Sequence, residues 1–270
     1  MSIPVALQLY SVREAMASDM EGTLRQVKAA GYAGVEFAGL FGRTPAEVRD
    51  LCRDIGLVPV SAHVPYYDMI AAPEKVLADY AAIGCRYVAI PYLTPECRPG
   101  TDGFDAVIQN ARKLGTVAGS LGMELLYHNH DFEFVKINGE YALDVLYASV
   151  DASLLKTELD TCWVSVGGEK PEDFIRKYSG RTPVVHLKDY VGQKSEHMYE
   201  LIGIQSSGKP AEAFGFRSVG SGVLDFPAIT RAAEASGAKW FVVEQDNPTP
   251  GKTPMECAVL SREYLKTIGY

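Results

Sequence analysis

No two cysteines in this chain are spaced as CxxC, and their number is odd: Cys52, Cys85, Cys97, Cys162 and Cys257. A disulfide framework and a thiolate zinc site are therefore not expected. Positive charge is also in short supply. There are 26 Lys and Arg against 34 Asp and Glu, a formal net charge of −8. That argues against a surface built to neutralise a phosphate backbone, so no nucleic-acid partner is expected. Small anionic substrates stay open, because they need only one or two local cations. No apolar stretch approaches the roughly 18 residues needed to span a bilayer, so no membrane partner is expected. The opening MSIPVALQLYSV has no charged leader and reads as a strand rather than a signal peptide. A reducing cytoplasm is the expected compartment. Homo-oligomerisation is left open by the sequence.

What the chain does have is a repeated unit: an amphipathic helix, a glycine, then a short apolar strand. It occurs in VKAAGYAGVEFAG, CRDIGLVPVSAH, YAAIGCRYVAIPYL, AGSLGMELLYHNH, RKYSGRTPVVHLKD and AEASGAKWFVVEQD. Each glycine falls where a helix should end on a left-handed residue. PVALQLYSV and LLKTELDTCWV complete the set. Eight strands are expected, near 4–10, 33–38, 57–63, 86–92, 123–129, 155–161, 182–188 and 240–245, each followed by a helical segment. Strict alternation implies parallel pairing with right-handed crossovers. Eight units in 270 residues imply an α/β fold, a (β/α)₈ TIM barrel forming one domain over 1–270. The open doubly wound sheet lacks support, because no GxGxxG follows an early strand. The longest connection, 189–225, has little periodicity. It ends in GSGVLDFPAI, with Asp225 as an expected N-cap. Long loops in a compact barrel usually serve a site.

The polar residues then fall in a pattern. Four of the five histidines sit at strand ends: His63 in VSAH, His128 and His130 in LLYHNH, His186 in VVHLKD; only His197 does not. Glu36, Glu158, Asp160, Lys188 and Glu244 stand at equivalent places. Burying an unpaired charge is costly, so a ring of such residues is hard to explain as packing. In barrels, the carboxyl ends of the strands form the active face. Asp160, His186 and Glu244 come from three successive strands, about 4.8 Å apart, and can converge on one ion. A mixed carboxylate and imidazole set suits Mn²⁺, Mg²⁺, Co²⁺, Zn²⁺ or Fe²⁺. The competing account is a satisfied salt-bridge network, for example Asp160 with Lys188. For the fourth ligand, Glu133 is ranked first and His128 second. His63, His128 and His130 are left as substrate contacts or proton-transfer groups. Lys188 is a candidate cation or acid/base. Trp163 and Tyr10 could pack on a sugar ring, and Gly220-Ser221-Gly222 could cradle an anion.

With these residues in view, the sequence resembles the sugar phosphate isomerase/epimerase family of xylose isomerase-like barrels. The resemblance runs through LQLYSVRE, GYAGVEFAG, VSAHVPY, YHNHDFEF, ELDTCWVSVGG, VVHLKDY, GSGVLDF and VVEQD. It implies one divalent ion, commonly Mn²⁺, at the positions matching Asp160, His186 and Glu244. Many relatives have a glutamate at the end of strand five, where this chain has His128; Glu133 is the expected replacement. Trp163 stands near where epimerases often have a histidine. The resemblance therefore points to the branch with the HNH-type fifth strand and to oxidised sugars such as 3-keto-glycosides, by elimination or hydration.

The expected chemistry is proton abstraction beside the carbonyl of a sugar or keto-sugar through a metal-stabilised enediolate. Glu133 and Glu244 are the expected bases, and His130, His63 or Lys188 the opposing proton donor. Glu36, His63, His128 and Trp163 are the expected substrate contacts. Expulsion of a leaving group in place of reprotonation would make the same site a lyase or hydratase. A metal-dependent endonuclease-type hydrolase is the first rival and would want several metals and a basic groove. A non-catalytic sugar-binding barrel is the second and would need no ligand set.

Overall fold

The computed structural model describes residues 2–194, 198–199 and 214–270. Eight parallel strands form its centre: β1 (Val5–Gln8), β2 (Gly34–Phe37), β3 (Val58–Ala62), β4 (Tyr87–Ile90), β5 (Glu124–His128), β6 (Lys156–Asp160), β7 (Val184–Leu187) and β8 (Trp240–Val243). Their order around the sheet is β3-β2-β1-β8-β7-β6-β5-β4. The ring closes between β3 and β4 through Arg86 N–H to Val60 O (3.0 Å) and Val64 N–H to Ala89 O (3.1 Å). All eight strands expected from the sequence are present, and each is a little shorter than its apolar run. The reason is visible at the upper ends, where chains leave the ladder to present side chains to the barrel mouth.

Local signals place the helices. Two have a full capping box, Thr44 with Glu47 before Pro45–Ile55 and Thr253 with Glu256 before Pro254–Thr267; each satisfies amide groups that a helix start leaves free. Gly31 ends the helix Met20–Ala30 at φ 99°, a left-handed turn that feeds directly into β2.

Side chains alternate across each strand. Outward residues such as Val5, Leu7, Val35, Phe37, Val88, Leu125, Leu159, Val185 and Phe241 pack under the helices in the main core. A smaller apolar plug of Ala6, Val60, Tyr87, Ala89, Leu126, Val184 and Val242 fills the barrel axis. Two residues further along several of these strands the inward positions turn polar: Gln8, Glu36, His128, Glu158, His186 and Glu244, all buried. Period two thus stacks a polar layer on an apolar one.

The connection after β7 is not structureless. Asp189–Val191 pairs antiparallel with Gly215–Arg217, and Asp225 caps the next helix by accepting from Ala228 N–H at 3.0 Å. The middle of this connection, including His197, lies outside the described residues.

Candidate metal centre and active site

Among the described residues the upper polar layer holds a lower and an upper group of four ligand-type side chains, with His63, His128 and His186 forming a third group across them. The lower group is Glu36, His63, Glu158 and His186. Glu36 Oε1 accepts from Gln8 Nε2 (2.6 Å) and His186 Nε2 (2.8 Å), and its other oxygen accepts from the Ser61 hydroxyl. His63 Nε2 reaches Glu158 Oε2 at 2.7 Å and Glu36 Oε1 at 3.1 Å. These are hydrogen-bond separations, and the rings of His63 and His186 stack 5.1 Å apart. Burial works against a charged His63, but Glu36 and Glu158 outweigh it and raise its pKa. The lower group is hydrogen-bonded except at Glu158 Oε1, which is buried 3.6 Å from His186 Nε2 with no hydrogen-bond partner among the described residues.

The upper group is His128, Asp160, His186 and Glu244, one from each of the adjacent strands β5 to β8 or the residue just beyond. Here the contacts are longer, and only His186 Nδ1 with Glu244 Oε2 is a hydrogen bond among the described residues. His128 Nε2 lies 3.4 Å from Asp160 Oδ2 and 3.7 Å from Glu244 Oε2, and His186 Nδ1 lies 3.3 Å from Glu244 Oε2. His128 Nε2 and Asp160 Oδ2 are buried and have no hydrogen-bond partner among the described residues. Leaving such atoms unpaired is costly. Donors that share one ion at bond lengths near 2.1 Å stand roughly 3–4 Å apart. The spacing, the orphaned atoms and the donor chemistry all fit a divalent cation. His186 links the layers. Its Nε2–H donates to Glu36, which leaves Nδ1 as the donor on the upper side, the arrangement by which carboxylates fix metal-binding imidazoles.

Asp160, His186 and Glu244 are brought together as the strand pattern anticipates. Glu133 is not with them. The turn Phe132–Phe134 folds its carboxylate back, where it accepts from the Tyr127 hydroxyl and from His130 N–H at 2.9 Å. His128 occupies the fourth position. Burial pushes the Glu133 pKa up to about 8. Glu36 is fully buried in the lower network and does not line the cavity, so it is not placed to touch substrate. Trp163 is likewise fully buried, stacked on Tyr199 and tilted against His130. It backs the wall instead of forming it.

Lys188 reaches the centre from beyond β7. Its Nζ lies 3.0 Å from Glu244 Oε2, 2.5 Å from Asp246 Oδ2 and 4.0 Å from Asp160 Oδ2. Burial opposes its charge, but Asp246, Glu244 and Asp160 prevail and hold the ammonium well above its usual range. The Asp160–Lys188 pair of the competing account is the longest of the three contacts. Burial raises Asp246 to about 6 against the pull of Lys188. Sequence reading missed Asp246, although it stands two residues past Glu244 and so shares its side. His130 is held well below the imidazole range by burial and by neighbouring His128, and its Nδ1 has no hydrogen-bond partner among the described residues.

Above these groups opens a cavity of about 840 Å³, with Lys188, Glu244, Asp246, His128, His130 and His63 among its lining. Tyr10 lines it too. The glycine turn 220–222 cradles an anion, but an internal one. The Asp189 carboxylate accepts from Gly220 N–H (3.0 Å), Gly222 N–H (2.8 Å), Val223 N–H (3.1 Å) and Leu224 N–H (3.3 Å). Asn129 was passed over as well: its Oδ1 accepts from Asp160 N–H at 3.0 Å, tying β5 to β6 just above their ladder.

Comparison with known proteins adds the following. Residues 24–267 match the model of the xylose isomerase-like TIM barrel family. Inosose dehydratase from Clostridium beijerinckii is 31% identical over 160 residues, 57% of this chain and 51% of that protein. The chain thus spans about half the length of that relative. Inosose dehydratase from Lacticaseibacillus casei is 26% identical over 277 residues, covering 91% of this chain and 88% of that one. A sugar phosphate isomerase/epimerase from Parabacteroides distasonis superposes with a TM-score of 0.78 at 21% identity, over 98% and 94% of the two chains.

Proposed function

Because this chain belongs to the xylose isomerase-like TIM barrel family, we propose that it is a divalent-metal-dependent dehydratase of polyhydroxylated ketones of the inosose kind. The observation that carries the reading is the upper group of His128, Asp160, His186 and Glu244 at the floor of the cavity, with an ammonium beside it. The relatives from C. beijerinckii and L. casei support elimination over epimerisation.

An ion held by these four side chains would supply Lewis acidity to the ketone oxygen and a neighbouring hydroxyl. The remaining work belongs to the protein. Neutral His130, on the β5 side, takes the proton from the carbon next to the carbonyl. The Lys188 ammonium gives a proton to the hydroxyl on the next carbon, which leaves as water. The C–H and C–O bonds break, a C=C bond forms, and the enone tautomerises. Asp246 and Glu244 hold Lys188 charged between turnovers. His63 and His128 bound the cavity floor, and burial of the whole set strengthens each charge.

The test is proton NMR in D₂O with metal-loaded protein and a panel of inososes and open-chain ketoses. Loss of water, with deuterium at the carbon that carried the departing hydroxyl, is the expected outcome. Deuterium without water loss would assign an isomerase or epimerase. Neither change with any ketone would end the reading.

A further inference from the structure

We propose that His128 makes this centre a two-nitrogen, two-oxygen site that selects borderline transition ions such as Zn²⁺, Co²⁺ or Fe²⁺ over Mg²⁺ and Mn²⁺. Three observations carry it. His128 Nε2 is buried, has no hydrogen-bond partner among the described residues, and sits at ligand spacing from Asp160 and Glu244. The carboxylate that could have taken its place, Glu133, is engaged by Tyr127 and the His130 amide on the far side of the turn. The second imidazole, His186, is oriented by Glu36 so that Nδ1 faces the same point.

Imidazole suits zinc, iron, copper and nickel, whereas Mg²⁺ and Mn²⁺ prefer sets dominated by carboxylate, carbonyl and water. Mg²⁺ also wants near-octahedral oxygen and gives up water reluctantly. Charge points the same way. Asp160 and Glu244 contribute two negative charges, which one divalent ion cancels, and the nearby Asp246 is already paired with Lys188. A third carboxylate at position 128 would leave an excess negative charge and favour a harder ion. The inference rests on the metal-centre reading given above but not on the dehydratase chemistry, since its test reads binding.

The experiment strips the full chain with chelator and titrates it by calorimetry with MgCl₂, MnCl₂, CoCl₂ and ZnSO₄. Wild type should bind Co²⁺ and Zn²⁺ with one equivalent and far more tightly than Mg²⁺. His128→Glu should narrow the Co²⁺-to-Mg²⁺ affinity ratio about 10-fold or more. An unchanged ratio, or Mg²⁺ binding as tight as Co²⁺ in wild type, overturns the proposal. A measurement on wild type alone guards against a misfolded variant. Proton NMR of the Co²⁺ protein in H₂O should show two strongly shifted exchangeable imidazole N–H signals, from His128 and His186. One signal excludes His128 as a ligand. No binding of any of the four ions would remove the metal centre itself, whatever the fate of the ketone assay.

Discussion

At the scale of single residues, the site depends on a few side chains with no spare partners. Lys188 is the sharpest case. Lys188→Met removes the cation from between Glu244 and Asp246, and a broken buried ion pair of this kind costs about 3–5 kcal/mol. Turnover should fall about 10²–10⁴-fold, the range for a lost acid or base; chemical denaturation and a single-turnover assay read the two effects separately. Asn129 acts through others. It holds the Asp160 amide, and with it the spacing to His128. Asn129→Ala should weaken metal binding about 10–100-fold, as outer partners of metal ligands do, and cost about 1–3 kcal/mol of metal-free stability for the buried amide left unpaired. Glu133 gives a pH signature. Its pKa, pushed to about 8 by burial, lies above that of the unfolded chain, near 4.3. Between those values the native state holds more protons, so stability falls as pH rises through the window and levels off above it. Glu133→Gln should flatten that decline, measured as Tm from pH 5 to 9; an unchanged slope would place the titration elsewhere.

At the scale of elements, the strands were readable and the turns between them were not. Six of the eight strands announce themselves by an apolar run behind a glycine, and period two alone puts Asp160, His186 and Glu244 on one rim. Glu133 could not be placed in the same way. Whether a residue five past a strand end points in or back depends on the turn, and the sequence FEF gives no period to count. Asp189 was equally hidden, because its partners lie more than thirty residues away in the chain. That carboxylate locks the return of the seventh connection onto the end of β7, next to Lys188. Asp189→Ala would leave several amides unpaired, and hydrogen bonds to a charged group are worth about 1.5–3 kcal/mol each. A Tm loss of several degrees is expected, together with faster amide exchange at Gly222 and Val223.

At the scale of the whole molecule, the four donors of the upper group come from four neighbouring strands, β5 to β8. An ion bound there fastens half of the barrel. At a free concentration of 100 times Kd it should add about 2.7 kcal/mol, which for a chain of this size is roughly 5–10 °C in Tm. Chelation should remove that gain and re-addition restore it, read by scanning calorimetry; equal Tm values with and without ion would deny the fastening.

The other half has no such rivet. Between β3 and β4 the ring is joined by the amides of Arg86 and Val64, so the cylinder has a seam. Under thermal stress it should unzip there into an open, curled sheet while the riveted side keeps its register. Deuterium would then reach the Val64 and Arg86 amides first and at the same pace whether or not metal is present, whereas the amides of β6 and β7 would slow when the ion is added.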